Sequence, residues 1–424
     1  MSARGILNLL QEFSIPLIAG VFCALLGANL DPEWYQHWFG VAHGGESEHV
    51  FHFGFSVFGH LVTLNFLIND VFMVFFFGVA AKEITEACLP GGSLNPLRKA
   101  INPLFATLGG VVGPVGVFFL ALWGATQMGI YDGSDAVQQA ALRRGWGIPT
   151  ATDIALAWLV ARAVFGKGHP AINFLLLLAV ADDAIGLAII AVFYGDPAHP
   201  TDPRWLALVL LGMAIAYGMR RARVRSWIPY IAISGPLAWC GLLLAHLHAA
   251  LALVFIVPFL PGPRRDTGLF VEEDEVDLGA NAEHSPLHLF EHQMKTFVDL
   301  GLFFFAMGNA GVELAGIGTM TWIILGSLVV GKTVGITAFA LVGARIGFPL
   351  PSRMGPREAV MAGFVAALGL TVALFVAGAA FPTDLHLQGQ AKMGALFSGF
   401  VGLAAIALGR AFGLRRRSDG ESEI

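Results

Sequence analysis

Apolar runs of about twenty residues recur along this sequence, and a lipid bilayer is the solvent that such runs fit. Of the 424 residues, 56% are hydrophobic and 13% are charged, and the mean hydropathy is +0.70. Soluble domains are only about 45–50% apolar even when glycine is counted, so a soluble single-core protein and a disordered chain are both excluded. The runs end in Gly, Pro and charged residues and do not alternate, which predicts membrane helices rather than an outer-membrane barrel.

Twelve apolar cores can be placed, which predicts an all-α integral membrane protein with about twelve transmembrane helices. They lie near residues 14–30, 58–81, 101–124, 148–164, 171–194, 205–219, 227–246, 249–261, 296–315, 321–344, 358–381 and 391–413. The cores near 148–164 and 249–261 are short, so we expect these helices to be interrupted or enclosed by protein. We expect residues 1–424 to form a single membrane domain with a short cytoplasmic tail at 415–424.

The positive charges predict the orientation of these helices. Most of the 25 lysines and arginines fall in alternate connections, which we assign to the cytoplasm together with both termini. The opposite connections hold only Arg143, Arg144, Arg204 and Lys392. The formal net charge of −5 gives no electrostatic reason to expect nucleic-acid binding. A Gly-rich phosphate loop is absent from the sequence, and we expect no cofactor.

Two adjacent aspartates, Asp182 and Asp183, lie near the middle of the apolar run LLLLAVADDAIGLAIIAVFY. A charge at that depth costs about 2.5–3.5 kcal/mol on insertion scales, so two carboxylates there indicate a function. Neighbouring positions on a helix point about 100° apart. We therefore expect one of the two carboxylates to be paired and the other to line a path.

Two further ionisable residues lie inside apolar runs. Asp153 follows Pro149 and Thr152 in GWGIPTATDIALAW, where the proline predicts an interrupted helix whose freed backbone and hydroxyl groups can meet an ion. An aspartate that caps a half-helix is the alternative, and the two roles are compatible. Lys332 lies in the middle of TWIILGSLVVGKTVGITAFALVGA, where an aspartate partner would keep its ammonium charged. A purely structural salt bridge is the alternative for this lysine.

A second interruption is expected at Gly369 and Thr371, in the middle of the eleventh core. The fourth and eleventh cores are the central members of two three-helix sets, spans 3–5 at about 101–194 and spans 10–12 at about 321–413. Interrupted helices in corresponding positions predict two inverted repeats with a binding site between the interrupted helices.

These segments resemble the NhaA family of bacterial sodium/proton antiporters. The shared motifs occur in family order between about residues 14 and 413: IND with the aromatic run after it, GWGIPTATDIALAWLV, the ADD pair, FFAMGNAGVEL, GKTVGI, GLTVALFVAGAAF and AKMGAL. The resemblance implies an electrogenic antiporter of the bacterial inner membrane that exports Na⁺ or Li⁺ in exchange for H⁺, for pH and sodium homeostasis, and that is not an enzyme. It also implies contacts with membrane lipids and a homodimer joined partly through residues 31–57.

The resemblance also implies roles for individual residues. Asp183 is the principal ligand for the transported cation and for the proton. Thr152 and Asp153 belong to the crossing of broken helices, where the Asp153 carboxylate, as a cap at a break, can also provide ligand oxygens for the cation. Asp182 pairs with Lys332, and one of these two groups carries a second proton.

One segment of the chain departs from the family pattern. The family likeness places Asp70 on the access route, but in FFFGVAAKEITE, which follows, this chain has Ala80 where the family usually has a glutamate. Glu83 and Glu86 come after it in a shifted register. Because the family's glutamate lies in a cytoplasmic funnel linked to pH regulation, the resemblance does not predict a pH activation profile for this chain, whereas the antiport chemistry is unaffected.

His284, His288 and His292 are spaced four residues apart at the start of the ninth helix, with Glu291 beside them. Because histidine titrates near physiological pH, this stripe is a candidate pH sensor. An ordinary solvated helix end is the alternative.

Two other functions compete with antiport. Asp153 and Asp183 lie on successive spans, as the aspartates of an intramembrane protease would, but that chemistry shares one proton between two carboxylates and uses no buried lysine. The Gly-x-Gly-Asp motif that such proteases show is replaced here by AVAD, which ends at Asp182. A cation channel is the other competing hypothesis. Saturable, proton-coupled counterflow would distinguish an antiporter from a channel.

Overall fold

The computed structural model describes residues 14–40, 50–90, 92–94, 97–195, 200–262 and 285–414. Each apolar core predicted from the sequence overlaps a helix or a pair of helices that meet at a bend. The chain divides into two compact units. Unit 1 comprises Met1–Leu97 and Leu187–Gly311, and unit 2 comprises Arg98–Gly186 and Val312–Ile424, so each unit is assembled from two separate stretches of sequence.

The described helices differ widely in length, from 8 to 31 residues. In chain order they are α1 (Ile15–Leu30), α2 (Pro32–Phe39), α3 (Leu64–Cys88), α4 (Leu97–Gln127), α5 (Ala136–Arg143), α6 (Ile154–Phe165), α7 (Pro170–Phe193), α8 (Leu206–Arg221), α9 (Tyr230–Leu244), α10 (Ala249–Phe259), α11 (Pro286–Asn309), α12 (Thr319–Arg345), α13 (Pro356–Val365), α14 (Leu370–Ala380) and α15 (Leu385–Ala411). Short 3₁₀ turns lie at Arg144–Thr150, Pro203–Trp205 and Leu314–Gly316.

Several helices have the length and composition of membrane spans. Among the described residues, 5 helices are long and apolar enough to cross a bilayer, or up to 7 if each bent pair is one span. These helices are α3, α4, α7, α12 and α15, and the bent pairs combine α5 with α6 and α13 with α14. The chain is therefore an integral membrane protein, as its composition predicts. The shorter apolar helices are α1, α9 and α10.

A two-stranded hairpin replaces the start of the predicted second helix. Strand β1 (His52–Val57) runs antiparallel to β2 (His60–Thr63), and the turn between them contains Gly59 at φ 88°. The prediction of a helix from residue 58 was wrong because alternating aromatic and β-branched residues beside glycines favour paired strands. The chain is thus mostly helical and not strictly all-α.

One helix lies outside the predicted cores, and another begins earlier than predicted. Residues 31–57, where no helix was predicted, contain α2, whose N-terminus is capped by Asp31, since the carboxylate accepts the Trp34 N–H at 3.0 Å. Helix α11 begins ten residues before the predicted core, where the Ser285 hydroxyl accepts the His288 N–H and a proline occupies the first turn. The first turns of α11 are polar, so hydropathy alone places its start too late.

Two helices of unit 2 are broken, which confirms the predicted interruptions. The chain bends by 48° between Ala136–Thr150 and α6, and by 52° between α13 and α14. Pro149 lies in the 3₁₀ turn of the first break, where its missing N–H prevents a continuous α-helical hydrogen-bond ladder. Gly369 precedes α14 at the second break, and α14 packs against the 3₁₀ turn of the first. The two breaks therefore lie together within unit 2.

Glycines bring α4 and α12 into backbone contact. Gly109 and Gly113 on α4 face Gly331 and Gly335 on α12, and a Cβ at any of these positions would overlap the facing backbone. Small residues at four-residue spacing are a common means of close helix packing in membranes. The contact flanks Lys332 on α12 and holds that segment against α4.

We expect Gly335→Ala to destabilise the protein by about 1–3 kcal/mol, because the added methyl would overlap the Gly109 carbonyl. Gly326→Ala on the same helix meets no atom within 4 Å and is the matched control. Unfolding in detergent micelles, followed by tryptophan fluorescence, measures both. Equal stability of the two variants would show that this glycine contact does not hold α4 and α12 together.

Candidate functional site

Asp153 joins the two broken helices. Its carboxylate accepts the Leu156 N–H at 3.1 Å and so caps α6, while its other oxygen accepts the Thr371 hydroxyl at 2.9 Å and the Thr371 N–H at 3.4 Å. The Asp153 N–H donates to the Leu368 carbonyl at 2.6 Å. The N-termini of α6 and α14, which carry partial positive charge, therefore share one buried carboxylate. Asp153 therefore caps a half-helix and also lies at a break, so both of its predicted roles are compatible with the structure.

Asp182 forms the buried ion pair of the site. The Lys332 ammonium donates to Asp182 Oδ2 and to the Thr152 hydroxyl oxygen, each at 2.5 Å. The Thr152 hydroxyl lies 2.7 Å from the same Asp182 oxygen and 3.0 Å from the Ala366 carbonyl, and it can donate to one of them at a time. Asp182 is 1% exposed and Lys332 is 0% exposed, so each compensates the other's charge.

Asp183 differs from its neighbour in having no such partner. Within the described residues it makes no hydrogen bond or ion pair, and its Oδ1 is buried. The side chain as a whole is half-buried, and the charges of Asp182 and Asp153 both act on it. One aspartate of the pair is therefore compensated within the protein and the other is available to a ligand.

Gly369 allows the second break to pack tightly. A Cβ at this position would lie 2.9 Å from a Leu328 methyl and 3.1 Å from the Ala151 carbonyl. Its N–H donates to the Ser398 hydroxyl on α15 at 3.2 Å. Gly369 and Thr371 thus both contact the first break or the helices beside it, which sequence spacing alone could not show.

The donor set in unit 2 consists of oxygens. The Asp183 carboxylate is unpartnered, and the Thr152 hydroxyl and the carbonyls freed at the breaks lie on the same unit. Hard oxygen donors suit Na⁺ and Li⁺ better than thiophilic metals. No group of three or more His, Cys, Asp or Glu side chains that could hold a metal ion occurs in the part of the chain that the structure describes.

Asp70 belongs to unit 1, within the π-helical turn Leu67–Phe72 of α3. The Trp239 indole N–H donates to its backbone carbonyl at 2.6 Å. Beside it, Asn309 donates to the Asn69 side chain at 2.9 Å, which links α3 to α11. The predicted role of Asp70 on an access route stays a prediction.

A second buried ion cluster lies in unit 1, beside the histidine stripe that the sequence predicts as a candidate pH sensor. Lys82 on α3 contacts the carboxylates of Glu86 and Glu291, and Glu83 lies 3.4 Å from the same ammonium. Glu291 is therefore directed toward this cluster. His288 and His292 stack with ring centroids 6.3 Å apart, and His284 lies outside the described residues.

Lys392 is placed differently from the expectation. Charge counting assigned it to a connection outside the membrane, but it lies two turns inside α15 and is 7% exposed. The first six residues of α15, LHLQGQ, are largely polar, so hydropathy placed the start of this helix six residues too late. The lysine was visible in the sequence, but its burial was not.

Comparisons with known proteins agree with this geometry. Residues 6–409 match the family model described as Na+/H+ antiporter 1. The chain is 57% identical over 413 residues to the Na(+)/H(+) antiporter NhaA of Geobacter sulfurreducens, covering 97% of this chain and 99% of that protein. It is 54% identical to the protein of the same name from Desulfitobacterium hafniense, with 97% of each chain covered. It is 40% identical to the one from Jannaschia sp., covering 95% of this chain and 96% of that protein.

We expect Lys332→Met to destabilise the protein by about 3–5 kcal/mol, because it leaves the Asp182 charge buried without its partner. The double variant Asp182→Leu/Lys332→Met should lose less stability than Lys332→Met alone, since it removes both charges. Denaturant unfolding of the two single variants and the double variant gives the coupling between the residues. Additive losses would contradict a direct ion pair.

Proposed function

We propose, because the chain belongs to the Na+/H+ antiporter 1 family, that it exchanges Na⁺ or Li⁺ for H⁺ across a bacterial inner membrane. The relatives are named antiporters, and the chain acts as a transporter rather than an enzyme. Na⁺, Li⁺ and H⁺ are its cargo, and the exchange requires no cofactor. Its physiological role is pH and sodium homeostasis.

The observation that carries this proposal is the asymmetry between the two adjacent aspartates. Asp182 has an ammonium and a hydroxyl as partners, whereas Asp183 has none within the described residues. Burial disfavours an uncompensated carboxylate, and either a bound proton or a bound monovalent cation removes that penalty. Asp183 therefore holds one or the other.

Competition at this carboxylate is sufficient for exchange. A proton that enters from one side displaces the cation, and a cation that enters from the other side displaces the proton. Coupling then needs only that the site opens to one side at a time. Asp153 contributes a second oxygen ligand or acts by holding the two half-helices, and Thr152 joins the Asp182 side of the site to the second break.

The breaks at Thr152 and Gly369 support a finer architecture. Twelve membrane spans with spans 3–5 and 10–12 as inverted repeats would make the two broken helices equivalent members of the repeats. The distribution of lysine and arginine supports cytoplasmic termini. Alternating access would then involve motion of the repeats around a site in unit 2.

Exchange of two protons for one cation would make transport electrogenic. Each net charge moved is worth about 2.3 kcal/mol per 100 mV of membrane potential, which can drive cation export. Asp182 and Lys332 are the candidate second carriers that the resemblance implies, but their buried ion pair opposes loss of the Lys332 proton.

The remaining roles are those that the sequence and the family resemblance predict. A homodimer, joined partly through residues 31–57, would lie among membrane lipids. Asp70 would line an access route in unit 1. The pH sensor would combine His284, His288 and His292 with Glu291, whose contact with Lys82 links the stripe to α3.

The protease alternative is disfavoured by the geometry of the carboxylates. Asp153 accepts hydrogen bonds from Leu156 and Thr371 with its two oxygens and makes none with Asp183. A shared-proton dyad needs those two carboxylates in contact. A channel remains distinguishable by its unsaturable, proton-independent flux.

We expect Asp183→Asn to abolish Na⁺-dependent dissipation of a pH gradient in everted membrane vesicles, because an amide cannot alternate between a proton and a cation. Asp132→Asn is the matched control, since Asp132 is fully exposed in a connection of the same unit. Immunoblotting confirms equal amounts of both variants. Near-normal exchange by Asp183→Asn would remove Asp183 from the transport site.

A further inference from the structure

We infer that Lys392 is the group that carries a second proton, an inference that rests on the proposed antiport and identifies the residue behind its electrogenicity. Lys392 lies on α15, two turns from its first residue, and its side chain is more than nine-tenths buried. Within the described residues it makes no hydrogen bond or ion pair. An uncompensated ammonium in a membrane helix is expensive, and its presence there indicates a function.

The position of Lys392 relates it to the broken helices. One turn before it, Gln388 donates to the Phe381 carbonyl at the end of α14, and six residues after it Ser398 accepts the Gly369 N–H at the second break. At 1.5 Å per residue, Lys392 lies about 9 Å along the helix axis from Ser398. It therefore belongs to the stretch of α15 that lies beside the second broken helix.

The charged groups on neighbouring elements are engaged elsewhere or exposed. Arg144 donates to the Ala380 carbonyl, Arg162 lies over the Trp158 ring, Glu358 caps its own helix and Arg357 is exposed. Lys332 is bound to Asp182. On α15 itself, Asp384 caps the helix and His386 contacts Gln390. The acidic side chains among these groups are therefore engaged elsewhere, and none of them is a counter-ion for Lys392.

The charge balance of unit 2 explains why such a lysine can exchange its proton. Asp153, Asp182 and Asp183 are three acids, and Lys332 compensates one of them. When Asp183 takes a proton, a charged Lys392 neutralises the carboxylate that remains. When Na⁺ enters, its positive charge repels the Lys392 ammonium through a medium of low dielectric, and the ammonium releases its proton to water. Two protons leave as one cation enters, and net charge moves.

Lys332 is less suited to this role. Its ammonium is held by the Asp182 carboxylate and the Thr152 hydroxyl, and it is 0% exposed. Loss of its proton would leave Asp182 buried and uncompensated. The Lys392 side chain has no carboxylate partner within the described residues, so loss of its proton leaves no ion-paired acid without its counter-ion.

The test compares Lys392→Met, which is never charged, with Lys392→Arg, which is always charged. In proteoliposomes, an internal dye measures the Na⁺-dependent pH change. Transient currents, recorded from proteoliposomes on a supported membrane, measure the movement of charge. We expect both variants to retain Na⁺-dependent pH change while the current falls to background and the exchange rate no longer responds to an imposed potential. Gln388→Met, one turn away on the same helix, should keep the wild-type current.

Failure of the Lys392 inference can be distinguished from failure of the proposed antiport. A normal current in Lys392→Arg would overturn the inference, because a permanently charged side chain cannot carry a proton. A normal current in Lys392→Met would overturn it as well. If one variant fails to fold, the other is sufficient. Absence of Na⁺-dependent pH change in the wild-type protein would instead refute the proposed antiport.

Discussion

An ionisable group inside a bilayer needs an opposite charge or hydrogen-bond partners, and the candidate site in unit 2 is organised around that requirement. Asp153 meets it with the N-termini of two half-helices, and Asp182 meets it with Lys332 and Thr152. Asp183 does not meet it within the described residues. The proposed binding site rests on this unmet requirement, because a proton or a small cation could fulfil it from outside the protein.

The rest of unit 2 holds this arrangement in place. The glycine contact between α4 and α12 flanks Lys332, and Gly369 allows the second break to approach the Ala151 carbonyl of the first. The breaks release backbone groups that an unbroken helix would use internally, and Asp153 and Thr152 bind some of them. Tight packing and polar compensation are thus parts of one structure, in which a shift of either helix would disturb the ion pair.

The sequence predicted those features of the structure that depend on one residue and its immediate neighbours in the chain. Pro149 and Gly369 predicted the two breaks, and the spacing of Asp182 and Asp183 predicted that only one would be paired. Sequence patterns could not show that Asp153 reaches Thr371, because the contact joins residues 218 positions apart. Hydropathy also missed the hairpin and the polar first turns of α11 and α15, since it averages over windows and gives polar residues at helix ends no helical signal. The burial of Lys392 and the contact of Lys82 with Glu291 depend on residues far away in the sequence, which hydropathy does not register.

The central claim is that a proton and Na⁺ exclude each other at Asp183, and proton release measures this most directly. Purified protein in weakly buffered detergent solution would receive NaCl while a pH electrode or indicator dye follows the medium. The account predicts saturable acidification with Na⁺ or Li⁺, none with choline, and loss of the signal in a protein without the Asp183 carboxylate. Saturable Na⁺ binding with no proton released would contradict it.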